Sequence, residues 1–368
     1  MTASRIDDRQ PPMTQNNASL DMQPLAVWPA MTQGVGHALH PARVDRGGRI
    51  GRKNAGYAAH AGLLIRMFAT LALLPSHAKA DTLRVGKGFG YETPSAAIAA
   101  ADDGDTVQIA PGTYTDCAVV FAHHLTIEGM GTPDQVVLTD KICNDKALLV
   151  IDGDNATVRN LTLQRAHARD GNGAGIRAEA FNLTVDRVRF INNQDGILAG
   201  DMPDSTILVQ NSLFFLNGVC LDYCAHAIYV GRIGLLRVQH TRFVATIDGH
   251  DIKSRAARTE VLQNDISDGP TGTSSYLIEA PNGGALIVRG NILEKGPRTS
   301  NTTAAMEIGA EGVKQKTTEI TVDSNIFTND TGGRTALLYN ATSTEAHLHG
   351  NRLVGPIDPI KGDGTSDQ

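Results

Sequence analysis

Eight times between residues 158 and 353 the chain repeats one apolar–polar phrase: an apolar residue, a distinctive residue three positions on, and a second apolar residue two positions further. The phrases run Val158–Leu163, Val185–Phe190, Val209–Phe214, Val238–Phe243, Val261–Ile266, Val288–Leu293, Val322–Phe327 and Leu348–Leu353. Their fourth position is Leu161, Val188, Ser212 and Thr241 in the first four copies and Asn264, Asn291, Asn325 and Asn351 in the last four. Successive fourth positions lie 27, 24, 29, 23, 27, 34 and 26 residues apart, too short for a globular domain and right for one turn of a solenoid.

Asparagine tolerates the left-handed backbone region, so the phrase predicts a sharp bend at the fourth position with both apolar neighbours turned inward. Asparagines at equal positions in successive turns are expected to hydrogen-bond along the stack. Most turns carry a second short apolar strand, at Gly175-Ile176, Gly196-Ile197, Ala227-Tyr229, Asp251-Lys253, Leu277-Glu279, Glu307-Ile308 and Leu337-Tyr339. Two or three short strands per turn of about 25 residues predict an all-β, single-stranded parallel β-helix of about ten coils. The Leu-x-x-Leu-x-Leu signature of a leucine-rich horseshoe is absent from the sequence.

Residues 1–60 mix Gln, Asn, Pro, Arg and His without a period, and are read as disordered or as an over-extended start. Residues 61–80 hold Arg66, the apolar run Met67–Leu74 and Ala78-Lys79-Ala80, the pattern of a signal peptide cleaved after Ala80. The run is too short to span a bilayer. This predicts a secreted or periplasmic protein, with the β-helix domain over 81–355 and a flexible tail over 356–368. The four cysteines fall in the exported part; Cys117 and Cys143 are one coil apart, and Cys220 and Cys224 can close a small loop. A net charge of −6, from 33 Lys and Arg against 39 Asp and Glu, provides no basic field for nucleic acid or membrane.

Thr93-Pro94-Ser95 followed by Ala96–Ala101 predicts a short helix, suited to covering the open end of the first coil. Gly104–Tyr114 then reads as strand, Pro-Gly turn and strand. That segment, the helix before it and the asparagine-bearing coils after it resemble the pectin-lyase-like family of right-handed parallel β-helices over roughly Asp81–Val354. The resemblance implies the right-handed fold; the chemistry hosted on that fold varies from lyases to binding shafts.

The densest run of ionisable residues falls in three consecutive coils: His226–Tyr229, Asp248–Arg255 and Ser274–Glu279. If Ile228, Ile252 and Ile278 face inward, alternation places Tyr229, Lys253 and Glu279 outward in one column, shared by Asp251 and extended by Glu307. An acid, a base and a cation this close suit β-elimination on a uronic-acid polysaccharide, where the C5 proton leaves only if the carboxylate is neutralised. Lys253 is the expected base, its pKa lowered by partial burial and by Arg255. Tyr229 or His250 is the expected acid, and His226 completes the catalytic set. Arg255, or a Ca²⁺ held by Asp248, Asp251 and Glu279, would neutralise the carboxylate. Glu279, Asp251, Tyr276 and Ser254 would contact the sugar.

Asp251-Ile-Lys253-Ser254 followed by Val261–Asn264 is similar to the Lys-Ser segment of the alginate lyase and chondroitinase B group, which implies Lys253 as base and Asp248 as a calcium ligand. The next coil offers Tyr276–Gly284 where that group has an arginine. Structural readings compete: His226 and His250 as turn caps, Asp248-Gly249 as a turn pair, Ser274-Ser275 and Asn282–Gly284 as loop. A Ser254–His250–Asp251 triad is disfavoured because neighbours in a strand alternate faces. Paired carboxylates among Asp248, Asp251, Glu279 and Glu307 would serve a hydrolase. The overall expectation is a monomeric lyase of acidic polysaccharide, against a non-catalytic carbohydrate-binding shaft and a hydrolase or C5-epimerase on the same face.

Overall fold

The computed structural model describes residues 80–367. The expected disordered leader and signal peptide lie outside the described residues, Ala80 apart. The described part is almost wholly β: a ten-stranded sheet in which every pairing is parallel, a twenty-stranded sheet, and one two-stranded hairpin. The ten-stranded sheet takes one strand from each coil, from Ala118–Val120 to Ile357–Gly362, giving the ten coils that the repeat spacing predicts. No described helix is long and apolar enough to cross a membrane.

Equal positions of the repeat stand on one another. Val185 pairs with Val158 and Val209, and Phe190 with Leu163 and Phe214. Phe190, Phe214 and Phe243 form a fully buried column with ring centroids 4.5 and 4.7 Å apart and nearly parallel planes. Offset stacking of this kind adds roughly 0.5–1.5 kcal/mol per pair beyond the burial of the rings.

The asparagine column forms as expected, but the bend does not fall on it. The left-handed residue is the one before: Asn160, Arg187, Asn211, His240, Gln263, Gly290, Ser324 and Gly350 all have φ between 48° and 68°. The asparagines instead supply hydrogen bonds that the corner backbone lacks. Asn264 donates to Val238 O and Asn291 Oδ1, Asn291 to Val261 O and Asn325 Oδ1, and Asn325 to Val288 O and Asn351 Oδ1, all at 2.9–3.0 Å. Each Oδ1 also accepts the backbone N–H of the asparagine below it. Thr241 and Ser212 continue the column with their hydroxyls. A buried amide placed this way satisfies both a corner N–H and a corner C=O, and each would otherwise cost about 1–3 kcal/mol.

The predicted helix is Pro94–Ala100, with Thr93 as N-cap and Pro94, Ala97 and Ile98 buried against the first coil. At the other end the expected flexible tail is overturned. Ile357–Gly362 pairs with Thr335–Asn340, and Gly364–Asp367 with Ala346–His349. A solenoid's last coil offers a row of free N–H and C=O groups, and a segment need not carry the apolar repeat to pair with it. Ile357 and Ile360 pack on the core, and Asn340 Nδ2 ties the Asp363 carbonyl at 2.7 Å. Disulfides join Cys117 to Cys143 and Cys220 to Cys224.

Asn291→Ala strands the Asn264 amide and the Val261 carbonyl in the core and should cost roughly 2–5 kcal/mol in urea unfolding. Arg352→Ala, an exposed position two coils further on, should stay within about 0.5 kcal/mol of the parent.

Candidate functional site

The outer face of the ten-stranded sheet carries the predicted column. Tyr229 pairs in register with Lys253, Lys253 with Glu279, Glu279 with Glu307 and Glu307 with Tyr339, while Ile228, Ile252 and Ile278 are fully buried on the inner side. Beside it runs a second column, Asp195, His226, His250 and Tyr276, each two residues before its inward isoleucine. The His226 and His250 rings stack with centroids 4.8 Å apart.

Backbone amides fix how these imidazoles are protonated. His226 Nδ1 accepts the His250 N–H at 2.9 Å, and His250 Nδ1 accepts the Tyr276 N–H at 3.1 Å. An amide nitrogen can only donate, so each ring, in its neutral form, carries its proton on Nε2. Burial, then His250, Lys253 and Arg255, hold His226 well below the ordinary histidine range, so it stays neutral. His250 Nε2 faces Glu279 Oε2 at 3.1 Å. Gly249 permits this stacking: a Cβ there would strike the Ala225 carbonyl and His226 Nδ1.

Lys253 and Arg255 meet at one carboxylate. Lys253 Nζ lies 2.9 Å from Glu311 Oε1, and Arg255 Nη1 lies 2.7 Å from Glu311 Oε2. Lys253 also pairs with Glu279 at 2.8 Å. Arg255 Nε donates to the Tyr229 hydroxyl at 3.0 Å, and Nη1 donates to Asn282 Oδ1. The expected lowering of the Lys253 pKa is overturned. Burial does pull it down, but the Glu279 and Glu311 carboxylates outweigh burial and leave it above the ordinary lysine range. Arg255 does not oppose this, because its charge is turned onto Tyr229, Asn282 and Glu311.

The carboxyl groups are pushed in opposite directions. Burial would raise Glu279, yet His250 and Lys253 bring it down to about 2. Glu307, one coil on and fully buried, is raised to about 7, chiefly by burial, with Glu279 and Glu311 adding to the rise. Its Oε1 accepts the Ala310 N–H, while its Oε2 has no partner.

Two expected sugar contacts point inward. Asp251 is fully buried at a corner that breaks the alternation, stacked with Ala227, Leu277 and Ala305. It accepts the Thr246 hydroxyl at 2.6 Å, and burial, with Asp268 adding, raises it to about 8. Ser254 is fully buried and shares a 2.7 Å hydrogen bond with Thr259. Asp248 sits in a left-handed turn with its carboxylate accepting the Thr273 hydroxyl at 3.0 Å. Asp248, Asp251 and Glu279 therefore do not converge as calcium ligands, and among the described residues no group of three or more His, Cys, Asp or Glu side chains is arranged to hold a metal. Tyr276 does stay at the face, half-buried, with its ring 5.5 Å from His250 and its phenol raised by burial.

Glu311 and Asn282 were not singled out by sequence reasoning as site residues. Glu311 stands 58 residues from Lys253, in a loop that returns over the face: Asn282 O accepts the N–H groups of Lys314 and Gln315, and Gln315 Nε2 donates to Arg255 O. The signal was the 34-residue spacing between Asn291 and Asn325, the longest in the series.

The solved structures similar to this chain share its architecture. An alginate lyase from Paenibacillus sp. str. FPU-7 superposes with a TM-score of 0.52 at 15% identity, over 78% of this chain and 99% of that one. A PL6 family alginate lyase, AlyGC, gives 0.50 at 16%, over 75% of this chain and 40% of that one. A pectin methylesterase from Aspergillus niger gives 0.46 at 13%, over 78% and 91%. No family model matches the sequence, and no curated protein matches it. With the register already described, the likeness to the two alginate lyases shows that the chain has the right-handed parallel β-helix fold.

The carboxyl pair gives opposite dependences on pH. Glu307, raised above its unfolded value, contributes stability that is complete below about pH 4.5 and lost as pH rises through about 7. Glu279, depressed, contributes stability that is present above about pH 4.5 and lost as pH falls toward 2. Thermal midpoints of Glu307→Gln should therefore gain on the parent between about pH 5 and pH 8, and parallel curves would show that no buried proton is held there.

Proposed function

We propose that the chain is an exported enzyme that cleaves an acidic polysaccharide by β-elimination on the face around Tyr229, Lys253 and Arg255. The observation that carries this reading is the convergence of Lys253 and Arg255 on a single carboxylate, beside a phenol that accepts a hydrogen bond from the same guanidinium. A uronate carboxylate that arrives at the two cations stays paired with Arg255 once Lys253 has given up its proton, and that guanidinium lowers the energy of the enolate-like intermediate formed when the C5 proton leaves. Arg255 and Asn282 form the carboxylate end of the site. Tyr229 receives the Arg255 N–H on its oxygen, so its own proton is available to the leaving glycosidic oxygen. Lys253 remains the group for the C5 proton, and it can act only after losing the proton that its carboxylate partners retain. No step is routed through Ca²⁺, because the three acidic residues named for it do not share a site. The two disulfides support folding in an oxidising compartment, secreted or periplasmic.

A second reading rests on Glu279 and Glu307, stacked in register with one carboxyl held ionised and the other protonated, the division of labour that glycoside hydrolysis needs. Both are buried beneath the 309–316 loop, which makes them less accessible than Tyr229 and Arg255. The two readings give different products, an unsaturated uronate that absorbs in the ultraviolet or a saturated reducing end.

Incubation of residues 81–368 with alginate, pectate and glycosaminoglycans, with and without Ca²⁺, should generate ultraviolet-absorbing ends with one polymer. Reducing ends without that absorbance would establish the hydrolase, and binding without product would establish a carbohydrate-binding shaft. Activity of the lyase should climb as pH rises above neutrality, since the base must shed a tightly held proton. Tyr229→Phe should reduce kcat by roughly 10²–10⁴-fold with the thermal midpoint unchanged; activity within a factor of three of the parent would remove Tyr229 from the chemistry.

A further inference from the structure

Glu311 is the outermost member of the cluster it closes. Its side chain is 42% exposed, whereas those of Lys253 and Arg255 beneath it are only 12% and 19% exposed. Both carboxylate oxygens are engaged, one by each cation. Burial would raise the Glu311 carboxyl, but Arg255 and Lys253 hold it below the ordinary range, so it is ionised whenever the site is near neutral pH. The cations are thus already neutralised, and by a group of the same chemistry as the ligand expected there.

The backbone that presents Glu311 is fixed. Its own N–H donates to Pro281 O at 3.0 Å, the Gly312 N–H to Gly309 O at 3.0 Å, and the Asn282 amide to Gly312 O at 3.1 Å. Gly309 and Gly312 bracket it with φ of 92° and 87°, a tight turn that places the carboxylate over the face. The side chain, in contrast, is anchored only by the two ion pairs, and glutamate has three rotatable bonds with which to leave. Removal of Glu311 from the fork therefore needs a rotamer change, not an opening of the loop.

We propose that Glu311 is an internal occupant of the uronate site, a carboxylate that the substrate's own free carboxylate must displace from Lys253 and Arg255, so that the site admits the free acid and not its ester. The proposal rests on the acidic-polysaccharide reading above and deepens it by naming the group recognised and the residue that competes with it. A methyl ester carries no charge to exchange for that of Glu311; displacement by an ester would leave both cations unneutralised in a partly buried site. A free uronate replaces one carboxylate with another, and the ion pairs are conserved. Competition of this kind lowers apparent affinity by the fraction of time the fork is vacant.

Calorimetric titration of the folded chain with trimers of guluronate, mannuronate and galacturonate, as free acids and as methyl esters, tests this. In Glu311→Gln the free acid that binds the parent should bind about five- to thirtyfold more tightly, and the esters, no longer required to displace a carboxylate, should gain at least as much, as expected for an occupant present for most of the time. Glu311→Ala, which also removes the amide that could still bond to Lys253, should give the same gain, and it serves as the second variant should glutamine perturb the loop. Equal or weaker binding of the free acid in both variants, with measurable binding in the parent, overturns the competition while leaving the acidic-polysaccharide reading in place. Binding of the ester to the parent as tight as that of the free acid overturns the discrimination, because Glu311 would then yield to a neutral ligand as readily as to a carboxylate. Failure of every free acid to bind parent and variants alike overturns both readings.

Discussion

Parallel registry governs this molecule: whatever occupies a position in one coil stands about 4.8 Å from whatever occupies it in the next. Apolar positions become continuous columns, hence the Phe190, Phe214 and Phe243 stack and the unbroken isoleucine line behind the site. Polar positions become ladders, and a ladder is stable only if each rung can both give and accept. Asparagine does this with one side chain, which explains its recurrence at 264, 291, 325 and 351. The same registry delivers charge to the site. Tyr229, Lys253, Glu279 and Glu307 are brought together by their equal positions in four successive coils.

What could be read from the sequence follows from this. Period, coil number, capping helix, outward column and cysteine pairing by coil spacing are all properties of position within a repeat, and the pattern of apolar residues carries them. The corners are less legible. Asparagine's tolerance of the left-handed region pointed to the bend, but the bend falls one residue earlier, on Arg187, His240, Gln263 and Ser324, because the asparagine side chain is needed inside. Asp251 went wrong for a related reason. Alternation from Lys253 puts it outside, yet the chain turns between His250 and Ile252, and the carboxyl lands among buried residues. Strand rules do not extend around corners.

The loop over the face was least legible. A long spacing marks an insertion without giving its path, and the path decides that Glu311 returns to residues two coils away in sequence. That return also changes the electrostatics. With Arg255 as its main neighbour, Lys253 would shed its proton more readily and stand ready to act as base; with Glu279 and Glu311 beside it, it holds its proton. A pKa inferred from residues adjacent in sequence fails when the nearest charges arrive from elsewhere in the chain.

The Glu279 and Glu307 pair has a wider meaning for how this solenoid is built. Two carboxyls in register, one of them with a buried oxygen that no protein group satisfies, is local frustration of the kind that a stack selected only for stability would replace with threonine or asparagine. A globular core would spread such a conflict through its packing. In a solenoid each coil touches only its neighbours, so the conflict is confined to the coils that carry it, and those on either side keep their ladders intact. Frustration can then be concentrated in one stretch of an otherwise consistent fold, and the proposed site lies in that stretch.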